Sequence, residues 1–226
     1  MKILVVADEE SKALWDFYDR KKTEGVDLII SCGDLHSDYL QFLVTMVNCP
    51  LLYVRGNHDR GYDKRPPEGC ICIDDTVYDH EGLRILGLGG SMRYRPGPCM
   101  CTEEEMQKRV RKAEKTIRKM NGFDILVTHA PAKDYGDLED LPHRGFECFN
   151  ELMEKYRPHY MLHGHVHQSY GRGFKRTMVH ECGTVIINAC GSYIFEVADD
   201  EHPPYGGTGS VFYDLGCRIR MKRRKY

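Results

Sequence analysis

Residues 51–59 read LLYVRGNHD: an apolar run, Leu51–Val54, then Arg55 and the tetrad Gly56, Asn57, His58, Asp59. A short run of branched and aromatic residues stopped by Gly and Asn has the form of a buried strand ending in a turn. The same form recurs along the chain. Ile3–Ala7 runs into Asp8, with Glu10 two residues on, and Leu28–Cys32 is followed by Gly33 and Asp34. Ile125–Thr128 runs into His129, and Tyr160–Leu162 into His163, Gly164, His165 and His167. Taken singly, these have ordinary explanations. Asp8 can cap a helix, Gly33-Asp34 and Gly56-Asn57 can form turns, and one histidine can be structural. Five runs that each end in carboxylate, amide or imidazole groups are harder to assign to caps and turns. His165 and His167 lie two apart, which on an extended chain puts both on one face.

Between the runs the apolar period changes. Ser11–Lys22 places Leu14, Trp15 and Tyr18 on one helical face, and Asp38–Val47 does the same with Tyr39, Phe42, Leu43 and Met46. This βαβαβ pattern predicts parallel strands with crossover helices. Their carboxyl ends then share one edge, where open α/β sheets bind ligands. Ile71–Ile73, Thr76–His80 and Leu83–Leu88 predict an antiparallel or meandering section. Thr102–Met120 predicts a charged helix, with Thr102 as N-cap and Glu105 three residues on. Phe146–Tyr156 predicts a helix that stops before Pro158. Thr177–His180 and Thr184–Asn188 read as strands, and Ser210–Leu215 as a last one. The expected fold class is α/β, a two-sheet βαβ sandwich flanked by helices, with residues 1–226 forming a single domain.

Composition narrows the function. The formal net charge is −2, so nothing global attracts nucleic acid or an anionic membrane. The basic stretch Arg218–Lys225 reads as a solvated tail. No apolar run reaches the roughly 20 residues of a membrane helix. The opening MKILVVADEE does not read as a signal peptide, because its apolar stretch meets acids at once. A cytoplasmic protein is expected. The ten cysteines then read as mostly buried thiols. Cys70/Cys72 and Cys99/Cys101 are spaced too closely for the usual structural zinc site.

The series Asp8-x-Glu10, Gly33-Asp34, Gly56-Asn57-His58-Asp59, His129 and Gly164-His165-x-His167 resembles the motifs of the calcineurin-like metallophosphoesterase superfamily. The order matches from residue 1 to about residue 190. The stretch Gly145–Gly171 is also similar to metallophosphoesterase-domain proteins related to class III cyclic nucleotide phosphodiesterases. The resemblance implies two metal ions, with Asp8, Glu10 and His167 on the first, Asn57, His129 and His165 on the second, and Asp34 bridging. His58 would face the substrate. One departure stands out: the family usually has Asp-x-His in its first motif, and this chain has Glu10 instead. Glu10 either ligates, making the first site harder, or stands clear as a first-turn helix acid. With ligation, Mn or Fe is the expected metal, and Zn, Ni or Mg would also be accommodated.

The implied chemistry is hydrolysis of a small phosphate ester, a phosphodiester above all. Two cations would neutralise the phosphoryl oxygens and acidify a bridging water, and His58 would protonate the leaving oxygen. Asp59 would either orient His58 or serve a turn. Arg93 and His143 are candidate substrate contacts on loops. Two alternatives stay open: a phosphomonoesterase, and a catalytically weak scaffold of the same fold that binds a protein partner. A scaffold would have no use for His58.

Overall fold

The structure, a computed structural model, describes residues 1–170 and 174–224. Two sheets form its centre. The first has the strand order β13 (Gly191–Glu196), β1 (Lys2–Ala7), β2 (Leu28–Ser31), β3 (Leu51–Tyr53) and β4 (Ile71–Cys72). In it β1 to β4 are parallel, and β13 runs antiparallel to β1. The second has the order β11 (Thr177–Val179), β12 (Val185–Asn188), β10 (Tyr160–His163), β9 (Ile125–Thr128), β6 (Leu83–Leu88) and β5 (Thr76–His80). Its inner strands are parallel, with β5 and β11 antiparallel at the edges. A short pair, β7 (Ser91–Met92) and β8 (Met100–Cys101), lies apart.

Strands that are apolar at every position need cover on both faces. In β1, Ile3, Val5 and Ala7 enter a core shared with Ile125, Val127 and Leu162 of the second sheet. Leu4 and Val6 instead join Tyr39, Leu40 and Leu43 of helix α1 (Ser37–Val47). The second sheet turns Leu86, Leu126, Met161 and Ile186 the other way. They meet Val110 and Ile117 of α2 (Glu103–Lys119), Phe149 and Leu152 of α3 (Glu147–Tyr156), and Tyr213 and Cys217 of α4 (Val211–Arg224). The result is a two-sheet α/β sandwich with helices on both outer faces.

The expected cap of α2 is present as a full capping box between Thr102 and Glu105. Three expectations need correction. Ser11–Lys22 is not an α-helix: turns lead to a short 3-10 helix at Arg20–Thr23, which Asp19 caps through the Lys21 amide. Its apolar residues find their partners without helical geometry, because Trp15 packs on Tyr39 and Phe42, and Tyr18 on Phe42. Ser210–Leu215 is not a strand but the start of α4. Tyr213 and Cys217, four apart, form its buried face, and the Asp214 carboxylate accepts the Thr208 and Gly209 amides at the helix start. Part of the basic tail is therefore helix, and Arg220 bonds the Tyr205 hydroxyl. Gly171 and Lys225 lie outside the described residues. Finally, the middle section is only half antiparallel, since β4 continues the first sheet in parallel with β3 and only β5 and β6 form a hairpin.

One buried ion pair ties α2 to the second sheet. Asp124 accepts the Arg84 backbone amide and the Nε and Nη2 of its guanidinium, whose Nη1 bonds the Met120 carbonyl at the end of α2. Replacing Asp124 by Ala would leave that guanidinium buried without its counter-charge. Asp124→Ala is expected to lower unfolding stability by about 3–5 kcal/mol in urea titrations. A loss under about 1 kcal/mol, the value of an exposed pair, would mean that the pair is effectively solvated.

Candidate metal centre

The carboxyl ends of parallel strands from both sheets meet at one place. From the first sheet, β1 delivers Asp8, β2 delivers Asp34, and the turn after β3 delivers Asn57 and His58. From the second, β9 delivers His129 and β10 delivers His165 and His167. Close packing of two turns fixes the geometry. A Cβ on Gly56 would stand 2.0 Å from Asp34 Oδ1, and one on Gly33 2.4 Å from the Gly56 nitrogen. Only glycine allows that approach. Asp59 holds the turns together, its Oδ2 accepting the Asp34 amide at 2.9 Å and the Gly56 amide at 2.8 Å. This carboxylate serves the loops rather than orienting the His58 ring. Asp8, Asp34 and His165 all have left-handed backbone, with φ of 62°, 58° and 69°. That conformation is tolerable for Asp and uncommon for His, and the surrounding bonds hold it in place.

The donor atoms converge on His129. Its Nδ1 lies 2.8 Å from the Cys32 carbonyl and donates to it, which leaves Nε2 facing the site. Around that Nε2 stand Asn57 Oδ1 at 3.0 Å, His165 Nδ1 at 3.1 Å and Asp34 Oδ2 at 3.3 Å. His165 Nε2 donates to the Pro142 carbonyl at 2.7 Å, so its Nδ1 is an acceptor as well. Three acceptors thus surround one ring nitrogen, and a single N–H cannot satisfy them all. A divalent cation can. Both rings are oriented from behind by carbonyls, as metal-bound imidazoles are. Asp34, His129 and His165 hold ligand atoms within 4.8 Å of one another, and these residues fit a cation with oxygen and nitrogen donors.

Protonation follows the same arrangement. Burial opposes charge on His129, but Asp34 outweighs it and pushes the imidazole up to about 10. Burial likewise opposes the Asp34 charge, yet the His129 charge and hydrogen bonds from His129 and the His58 amide hold that carboxyl down at about 2. Asp59 is raised to about 6 by burial and then by the Asp34 charge. Burial, then the His129 charge, holds His165 down at about 3. In the metal-free chain a proton on His129 therefore takes the place of a cation.

The Asp8 side chain is buried and accepts the His165 amide with both oxygens, at 3.0 and 2.9 Å. His167 lies between two acids, with Nε2 3.8 Å from Asp8 Oδ1 and Nδ1 3.5 Å from Glu9 Oε1. Glu10 is exposed and belongs to neither group of metal-capable side chains among the described residues. The tight turn at Asp8, closed by the Glu9 amide on the Ala7 carbonyl, brings Glu9 to His167 instead. His58 is exposed, with its ring Nε2 4.0 Å from Asp34 Oδ2. His143 stands at the rim, 5.2 Å from the His165 ring and 4.9 Å from Tyr170, centroid to centroid. Arg93 is not brought to the centre: its guanidinium bonds Glu105 and the Met100 carbonyl at the start of α2.

The sequence reading missed Glu9, Tyr170 and Cys190. Tyr170 stacks on His167 at 4.7 Å. Cys190 follows the apolar run of β12, so the rule that found the other candidate ligands applied to it too.

A model of the calcineurin-like phosphoesterase superfamily domain matches residues 1–199, and the chain belongs to that superfamily. Among curated proteins it is similar to the UPF0046 protein T07D4.2 of Caenorhabditis elegans, 26% identical over 107 residues that cover 45% of this chain and 25% of that protein. It is also similar to the UPF0046 protein C25E10.12 of the same organism, 23% identical over 175 residues, 62% of this chain and 58% of that one. The chain thus spans less than two thirds of either relative. The crystal structure of TT1561 of Thermus thermophilus shares the fold, with a TM-score of 0.57, 17% identity, and coverage of 84% of this chain and 89% of that one.

Two outcomes are expected at this centre. At pH 8, below its value of about 10, His129 carries the proton that a cation on Nε2 must displace. Mn²⁺ uptake at His129 should then release about one proton per cation bound there, read by calorimetry in buffers of different ionisation enthalpy. Uptake without release would remove His129 from the ligands. Gly56→Ala forces its Cβ against Asp34, and should cost about 1–3 kcal/mol of stability in denaturant titrations and weaken cation binding. Unchanged cation affinity would show that the Asp34 position does not matter.

Proposed function

We propose that the chain hydrolyses a small phosphate ester, a phosphodiester in preference to a monoester, with two cations held by the residues at the strand ends. The observation that carries this reading is the convergence of Asp34, Asn57 and His165 on His129 Nε2. Asn57, His129 and His165 would hold one cation, and Asp8 and His167 the other, with Asp34 between them and Glu9 better placed than Glu10 to add a carboxylate. Oxygen and nitrogen donors at the His129 site suit Mn²⁺ or Fe²⁺. Bound cations supply charge neutralisation for a phosphoryl group and lower the pKa of water.

The chain's own groups do the rest. His58 is exposed at the rim, its amide fixed by Asp34 Oδ1 at 2.7 Å and its ring free to hold a proton at Nε2. A leaving alkoxide arriving there would take that proton. Asp59 keeps the two glycine turns in register. His143 and Tyr170 offer aromatic faces beside the cluster for the organic part of a substrate. With Arg93 engaged by Glu105, this rim suits the single negative charge of a diester better than the double charge of a monoester. Near-neutral net charge argues against nucleic acid as substrate. No helix among the described residues is long and apolar enough to cross a membrane. All ten cysteines are free, which suits a reducing compartment such as the cytoplasm.

The test is turnover of bis(p-nitrophenyl) phosphate and of p-nitrophenyl phosphate with added Mn²⁺, alongside the metal content of protein purified without chelator. Faster turnover of the diester is expected. His58→Ala should lower kcat by about 10²-fold or more at unchanged metal content, whereas Asp34→Ala should lose metal and activity together. Absence of turnover across Mn²⁺, Fe²⁺, Co²⁺, Ni²⁺ and Zn²⁺ with a broad ester panel would sink the proposal.

A further inference from the structure

Beside the His129 cluster lies a second group with a different donor chemistry. Glu9, His167 and Cys190 each offer a ligand atom, and these lie within 4.8 Å of one another. Cys190 is only 3% exposed. It reaches this place because it bridges to Ala7, the last residue of β1, so the chain after β12 runs beside the Asp8 turn. Its own amide is fixed by Asn188 Oδ1 at 2.9 Å. A buried sulfur thus lies within ligand reach of an imidazole and a carboxylate. Sulfur, nitrogen and one oxygen make a softer donor set than the oxygen and nitrogen ligands around His129, and soft sets select Zn²⁺ and Co²⁺ over Mn²⁺.

We propose that Cys190 is a metal ligand, and that Glu9, His167 and Cys190 bind a thiophilic divalent cation next to the His129 centre. The inference rests on the metal-dependent reading above and deepens it at one of the two sites. The chain after β12 supplies a thiolate where the first motif has Glu10 in place of histidine. On binding, the S–H bond breaks, its proton passes to buffer, and the sulfur lone pair forms the bond to the cation; no electron transfer is involved. The two sites would then differ in metal preference, hard at His129 and soft at Cys190.

Cobalt distinguishes the possibilities, because a thiolate on Co²⁺ gives a near-ultraviolet charge-transfer band that oxygen and nitrogen ligands do not. The metal-free full chain titrated with Co²⁺ is expected to develop this band along with visible ligand-field bands. Cys190→Ser should lose the near-ultraviolet band and keep visible bands from the His129 centre, while Cys148→Ser, a buried thiol in the α3 core, should keep both. Glu9→Gln changes an exposed residue, so it should fold normally, retain the band and bind Co²⁺ more weakly at this site. Visible bands with no charge-transfer band, or a band that survives Cys190→Ser, would overturn the thiolate site and leave the phosphoesterase reading standing. A Glu9→Gln titration identical to wild type would overturn the Glu9 part. Failure to bind Co²⁺ at all would overturn this proposal and the metal reading together.

Discussion

Three acceptors aimed at one imidazole nitrogen are unfavourable unless something positive sits among them. Asp34, Asn57 and His165 are held around His129 Nε2 at 3.0–3.3 Å by a fold that gives them little room to relax. In the metal-free chain the proton on His129 relieves the conflict, and the depressed Asp34 and raised His129 are its two sides. The arrangement draws on two sheets, which bring candidate ligands in from opposite directions. It also needs both sheets to end at the same edge, which parallel strands provide.

The cost of holding such groups is spread through the structure. Left-handed backbone at Asp8, Asp34 and His165 is strain of a kind found at functional sites. It persists because neighbours fix these residues: Asp8 takes the His165 amide, Asp34 takes the His58 amide, and Asp59 ties the Asp34 turn to the Gly56 turn. Behind them, the core between the sheets leaves each parallel strand no polar alternative. Asp59, inside a motif of candidate ligands, accepts amides from two loops. Its carboxylate sets the distance between two loops, and that distance sets where Asp34 points.

A centre with neighbouring hard and soft donor sets would differ from one built of two similar sites. Hard donors around His129 leave a phosphoryl oxygen as a natural partner for their cation. A thiolate at Cys190 would hold its cation more firmly and donate more charge to it. The aromatic rim of His143 and Tyr170 stands over the histidines of both groups, with Tyr170 stacked on His167 and His143 tilted on His165.

Much of this was legible in the sequence. Short apolar runs that each stop at a ligand-type residue identify buried parallel strands and their shared edge, because a strand buried on both faces must be apolar throughout and can change character only where it leaves the sheet. That logic put Asp8, Asp34, Asn57, His129, His165 and His167 at strand ends, and the capping pattern at Thr102 fixed the start of α2. Local periodicity misled where tertiary partners override it. Leu14, Trp15 and Tyr18 lie in an irregular segment from which Trp15 and Tyr18 pack on Phe42 of α1, and Ser210–Leu215 has the look of a strand although Tyr213 and Cys217 lock it as a helix. Only the tertiary structure shows Glu9 rather than Glu10 beside His167, since the left-handed turn at Asp8 determines which neighbour faces that ring. Only it could bring Cys190 to His167, because the bridge to Ala7 joins residues from opposite ends of the chain. Sequence spacing sets which residues leave each strand; the direction each side chain takes depends on turns and contacts that no local pattern encodes.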